Sequence, residues 1–156
     1  MKTLLLALVP LALAPFALAQ DLPDGKGKDK VEMVCGACHG LEGVMAMNNN
    51  KSAWQDLIED MRGRGADGSE EDFKTIATYL AKYYGPLVYV NKAPAKDLVE
   101  QLDLSGDEAA AIVKYRDANS GIKGWDDMAK VPGVDAKKLE PLKNRLRYVD
   151  PKPKSN

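Results

Sequence analysis

Five consecutive residues, Cys35-Gly36-Ala37-Cys38-His39, contain both cysteines and the single histidine of the 156-residue chain. Their order is C-x-x-C-H, the pattern that attaches a c-type haem. The two thiols add to the vinyl groups, and the adjacent imidazole meets the iron from the proximal side. One covalently attached haem c is the cofactor this implies, with Cys35 and Cys38 as attachment points and His39 as proximal ligand. Competing uses of the same residues are few. A structural zinc site needs four Cys or His ligands, and three are present. A thioredoxin-like dithiol would stand on a strand-to-helix turn in a β-α-β pattern, which this sequence lacks. An ordinary disulfide or a chance match to the pattern is the remaining alternative.

Haem is joined to such motifs outside the bacterial cytoplasm, and the N-terminus points to that same compartment. Lys2 supplies a positive start, residues 4 to 13 are almost wholly apolar, and Ala17-Leu18-Ala19 fits a small-residue cleavage site. Residues 1–19 therefore read as a signal peptide, with a mature chain from Gln20 that is periplasmic or otherwise exported from a bacterial cytoplasm. The apolar run is short and interrupted by Pro10 and Pro15. An uncleaved anchor is thus the weaker alternative, and no stable membrane span is expected after cleavage.

A break at Tyr84-Gly85-Pro86 divides the rest into two units of about 60 residues each, small enough to need a staple such as a covalent cofactor. Residues 21 to 85 carry 8 Lys and Arg against 12 Asp and Glu, and residues 86 to 156 carry 13 against 11. The resulting net charges, −4 and +2, give no strong signal for nucleic acid or an anionic membrane.

In the first unit, Val31 and Val34 are spaced as helix neighbours, so the cysteines are expected at the end of a short helix. After a polar stretch ending Asn48-Asn49-Asn50, Ser52-Ala53-Trp54-Gln55 has the form of a capping box and opens a helix with Trp54, Leu57, Ile58 and Met61 on one face. Gly63 and Gly65 stop it. Ser69-Glu70-Glu71-Asp72 opens another, and Phe73, Ile76, Ala77, Leu80 and Tyr84 follow at helical spacing up to Gly85-Pro86. With no second histidine, the other axial position on the iron falls to a methionine or stays open. Met61, at a helix end before the Arg62-Gly63-Arg64-Gly65 turn, fits best. Met45 and Met47 are alternatives, Met33 lies in the attachment helix and Met128 belongs to the other half, and the competing reading of Met61 is a core methionine.

The attachment motif, the Trp54-x6-Met61 pair, the Arg-Gly turn and the Ile76-x-x-Tyr79-Leu80 helix together resemble a small class I cytochrome c, of the type that accompanies periplasmic quinoprotein dehydrogenases. The resemblance covers residues 22 to 86. It implies thioether bonds from Cys35 and Cys38, His39 as proximal ligand and Met61 as distal ligand.

Beyond residue 86, apolar clusters recur at helical spacing, separated by turns at Ser105-Gly106, 121–124 and Pro132-Gly133, which implies four or five short helices. Pro141 is placed to kink or split the last one. The segments V-x-V-N-K-A (88–93), A-x-x-I-V-x-Y-R (109–116) and V-P-G-V (131–134) resemble the paired helix-hairpin-helix domain of competence proteins, which bind DNA outside the cell membrane. In that family a Gly-apolar-Gly turn in each hairpin holds a phosphate on backbone N–H groups. The corresponding turns here, Asp103-Leu104-Ser105 and Gly133-Val134-Asp135, each bring an aspartate to that place, where it repels phosphate. A basic face of Lys137, Lys138, Lys143, Arg145 and Arg147 on the last helix is the feature that favours DNA.

The expectation is therefore an all-α protein: signal peptide 1–19, cytochrome c domain 20–86, helix-hairpin-helix domain 87–148 and tail 149–156. Its expected role is electron transfer without substrate turnover. Its expected partner is a periplasmic dehydrogenase, an oxidase or another cytochrome, docked by the second domain. The alternative is an extracytoplasmic DNA-binding protein with an attached haem domain. Peroxidase or gas-binding chemistry at an open iron is a third option, for which a distal histidine is lacking.

Overall fold

The fold is that of a computed structural model describing residues 21–149. The signal peptide expected at 1–19, and the expected tail beyond Val149, lie outside the described residues. The first helical turn, α1 (Lys28–Lys30), runs directly into a π-helical turn, Val31–Cys35, closed by the Gly36 N–H donating to Val31 O at 3.3 Å. Such wide turns are rare and frequent at functional sites. Val31 and Val34 are buried, so the turn is held from beneath while Cys35 emerges at its end. A four-residue helix, α2 (Glu42–Met45), follows the motif, within the polar stretch. It is too short to leave a periodic pattern in the sequence.

Helix α3 (Lys51–Gly63) starts two residues earlier than the S-x-x-Q pattern implies. Its N-cap is Asn50, whose Oδ1 accepts from Ala53 N at 2.9 Å, and Ser52 lies inside the first turn. Asn caps as well as Ser does, and the earlier start adds helical bonds. At the other end Gly65 adopts φ +100°, and two bonds, Gly65 N to Arg62 O (3.0 Å) and Ala66 N to Met61 O (2.9 Å), form a Schellman cap. Helix α4 (Glu70–Tyr83) starts where expected, on a capping box of Ser69 with Asp72, and Asp72 reaches on to Lys30 at 2.9 Å, tying α4 to α1. The Tyr79 and Tyr83 hydroxyls donate to Pro23 O and Asp24 O, which binds the N-terminal arm along α4.

The second half is helical except where its ends meet. Val88 and Val90 are both buried, and this alternation makes a short strand, β1 (Val88–Tyr89), paired in parallel with β2 (Leu146–Arg147). Between them lie α5 (Ala95–Leu102), α6 (Gly106–Ala118), α7 (Trp125–Met128) and α8 (Ala136–Leu139). At Pro141 the last helix passes from α to a 3₁₀ turn, Glu140–Arg145. Two motif residues stitch this half together. Asn91 donates to Ile122 O and Tyr148 O and accepts from Ile122 N, at 2.7 to 2.9 Å. Arg116 donates to Val90 O and Ala93 O, both at 2.7 Å. The sequence break at Gly85 is not a break in packing, because buried apolar side chains from both halves form one cluster.

Candidate functional site

An apolar cavity of about 460 Å³ opens in the first half, a size suited to a cofactor-sized molecule. The attachment segment contributes Val34, Cys35, Cys38 and His39 to its wall, and the segment after it Gly43, Val44 and Met47. Helix α3 contributes Trp54, Leu57, Ile58 and Met61, the stripe read from the sequence, and α4 contributes Phe73, Ile76 and Leu80. Spacing alone placed these faces correctly because both helices present one side to the same void.

The residues of the motif differ in setting. Cys35 is half-buried, and burial pushes its thiol above the ordinary range. It ends a helical turn, whose partial negative charge gives no help to a thiolate. That is opposite to the environment of a thioredoxin-like nucleophile, which stands at a helix start. Cys38 and His39 are exposed at the cavity edge. The His39 Nδ1 lies 3.0 Å from Gly40 O, and because a carbonyl can only accept, Nδ1 carries the proton. Neutral imidazole in that tautomer leaves Nε2 with a free lone pair, the arrangement expected of a ligating histidine. Among the described residues, no group of His, Cys, Asp or Glu is arranged to hold a metal ion by itself.

The methionines separate clearly. Met61 is partly buried in the cavity wall, and the Schellman cap fixes its carbonyl while the cap's closing residue, Ala66, lines the same cavity. Met47 also reaches the cavity, is 38% exposed, and has the Asn49 amide directed at its sulfur (3.9 Å). Met45 does not line it, Met33 is 63% exposed, and Met128 is buried in the second half. Arg64, paired with Asp60 at 3.0 Å, is the lining residue with a permanent charge, and its position in the Arg-Gly turn gave no separate signal in the sequence.

The hairpin turns of the second half are occupied by carboxylates. Ser105 and Glu108 form a capping box on α6, with Ser105 N donating to Glu108 Oε2 at 2.9 Å. The other oxygen of Glu108 accepts from Asp135 N (3.5 Å), and Lys138 Nζ reaches both oxygens at 3.2 Å. Asp135 caps α8 by accepting from Lys137 N at 3.0 Å. These bonds, with the Ser105 N–H foremost, hold the Glu108 carboxyl at about 2, well below its ordinary range. Asp103 takes the left-handed conformation, φ 57°, that a turn glycine would otherwise supply.

The expected basic face is broken up, with Lys137 exposed and the other four cations held by partners within the fold. Arg145 is 1% exposed and donates to backbone carbonyls, and Lys138 is committed to Glu108. Lys143 pairs with Glu140 and lies 4.3 Å from the Trp125 ring, and Arg147 donates to Asn144 O and Leu146 O. The 3₁₀ turn after Pro141 changes the side-chain period from 3.6 to about 3, which removes the common face these residues would share on an α-helix.

No curated protein and no solved structure matches the chain. Residues 85–147, from the Gly85 turn to the closing strand, match the protein-family model described as a helix-hairpin-helix motif, and this half of the chain is therefore a helix-hairpin-helix unit.

Proposed function

We propose that the chain is an exported single-haem c-type cytochrome that carries electrons, with its helix-hairpin-helix unit serving as a docking module. The observation that carries this reading is the meeting of Cys35, Cys38, His39 and Met61 at one apolar cavity. For residues 20–86 the support is the motif and this cavity. The residues present fit a haem: two thiols to form the thioether bonds, a histidine with a free Nε2, a thioether, apolar walls and one cation, Arg64, for the carboxylates. A haem bound there supplies a one-electron couple between ferric and ferrous iron. The protein's part is to orient the axial side chains and exclude water. Trp54, Leu57, Ile58, Phe73, Ile76 and Leu80 make the pocket dry, which together with His and Met ligation favours a comparatively high potential. No substrate bond is made or broken. The partner is a periplasmic dehydrogenase, an oxidase or another cytochrome. Among the described residues no helix is long and apolar enough to cross a membrane.

DNA binding is the second reading, favoured by the helix-hairpin-helix match at residues 85–147. Against it, Glu108 and Asp135 already occupy the helix starts where phosphate would be held, and Lys138, Lys143, Arg145 and Arg147 are engaged within the fold.

The reduced protein is expected to show a six-coordinate low-spin haem spectrum, and Met61→Ala to bind carbon monoxide readily. An unchanged spectrum in Met61→Ala would remove Met61 from the iron, and a purified exported protein without haem would overturn the reading. A gel-shift titration with duplex DNA at several salt concentrations is expected to show no complex. A complex that weakens steeply with salt would transfer the second half to the DNA reading.

A further inference from the structure

We propose that Arg145, in the helix-hairpin-helix unit, is a positioning residue for the wall of the haem cavity in the first half. The inference rests on the electron-carrier reading for its functional meaning. The Arg145 side chain is 1% exposed, and its hydrogen-bond partners are backbone carbonyls. Nε and Nη2 donate to Pro86 O at 3.2 and 3.1 Å, and Nη1 donates to Lys82 O and, at 2.9 Å, to Gln101 O. Lys82 lies in the last turn of α4 and Gln101 in the last turn of α5. One guanidinium therefore sits at the negative ends of two helices, one from each half, and satisfies carbonyls that have no partner within their own helix. The planar fork of arginine serves three acceptors at once, which an ammonium group at the same place cannot do with the same geometry. Gly85 makes the approach feasible, since a Cβ there would stand 2.8 Å from Arg145 Nη2.

From this hub the cavity wall is close along the chain. Lys82 and Pro86 stand two residues before and two residues after Tyr84, and Tyr84 O accepts from Trp54 Nε1 at 3.1 Å. Trp54 is fully buried and is the largest side chain in the cavity wall. By fixing the carbonyls on either side of Tyr84, Arg145 fixes the acceptor that orients the indole. The second half thus sets the geometry of the pocket as well as docking beside it.

The test is hydrogen exchange by NMR on the full chain, comparing the Trp54 indole N–H with the Ile112 amide in the core of α6. In Arg145→Lys the Trp54 indole is expected to exchange faster by about tenfold or more relative to Ile112, the worth of one charge-assisted hydrogen bond. A resonance shift toward weaker hydrogen bonding should accompany it. If Arg145 only staples the halves together, both sites accelerate by the same factor and the indole resonance stays in place, which would overturn the proposal. Should Arg145→Lys not fold, the wild-type chain decides. The Arg145 Nε–H and the Trp54 indole N–H must then exchange with the same dependence on low urea, and different dependences would refute the coupling. Wild type and variant are compared in the same haem state, so a haem-free protein would sink the carrier reading while leaving this comparison standing.

Discussion

Glu108→Gln separates charge from shape at the junction of the two hairpins. The substitution keeps the side chain's size and an acceptor for Ser105 N, but removes the negative charge at the start of α6 and the ion pair with Lys138. A carboxylate at a helix start contributes about 0.5–1 kcal/mol. The Lys138 pair adds up to about 1 kcal/mol, discounted because the lysine side chain is 53% exposed. Because the contributions overlap, the variant is expected to lose about 1–2 kcal/mol at pH 7. The folded-state pKa of Glu108, about 2, lies below its ordinary value of 4.5. Its stabilisation is therefore complete above the ordinary value and is lost as the pH falls toward 2. Urea unfolding of wild type and Glu108→Gln at pH 7, 5 and 3 measures this directly. The stability gap should be largest at pH 7 and shrink to less than half by pH 3. A gap that does not change between pH 7 and 3 would show that the carboxylate charge is not its source, and equal stability at pH 7 would remove the bridging role altogether.

Asn91→Ala removes two donated bonds and one accepted bond that join β1, the turn at Ile122 and the C-terminal strand. Denaturant unfolding is expected to show a loss of about 2–4 kcal/mol, most of it the cost of unpaired carbonyls. Asp103→Gly relieves a left-handed backbone at φ 57° and gives up only an exposed contact with Lys82 at 3.4 Å. It should leave stability unchanged or raise it by up to about 1 kcal/mol, and a clear loss in the same assay would contradict this. Because it also restores a glycine to the first hairpin turn, the variant is the sensitive form in which to look for a salt-dependent DNA shift.

Local chemistry was legible in the sequence wherever one short segment was enough to specify it. The stripe of Trp54, Leu57, Ile58 and Met61 and the face of Phe73, Ile76 and Leu80 follow from helical periodicity alone, and both line the cavity. The helix start at Ser69-Glu70-Glu71-Asp72 and the break at Pro141 are equally local. The start of α3 was misplaced because Asn50 and Ser52 are both good caps, and the longer helix wins. The strand pair escaped notice because its partners, Val88 and Leu146, are far apart in the chain and each strand is two residues long.

By itself the sequence determined the candidate cofactor chemistry, because the only cysteines and histidine stand in one pattern, and the helical character, because apolar spacing is a property of neighbours. The tertiary structure decided what the second half's cations do. Arg145, Lys138 and Lys143 read as a solvated basic face from spacing on an ideal helix. Instead, Arg145 is buried among carbonyls, Lys138 is tied to Glu108 and Lys143 to Glu140. A charge's role depends on which groups of opposite polarity surround it in space, and for Arg145 and Lys138 those groups come from helix ends and turns tens of residues away.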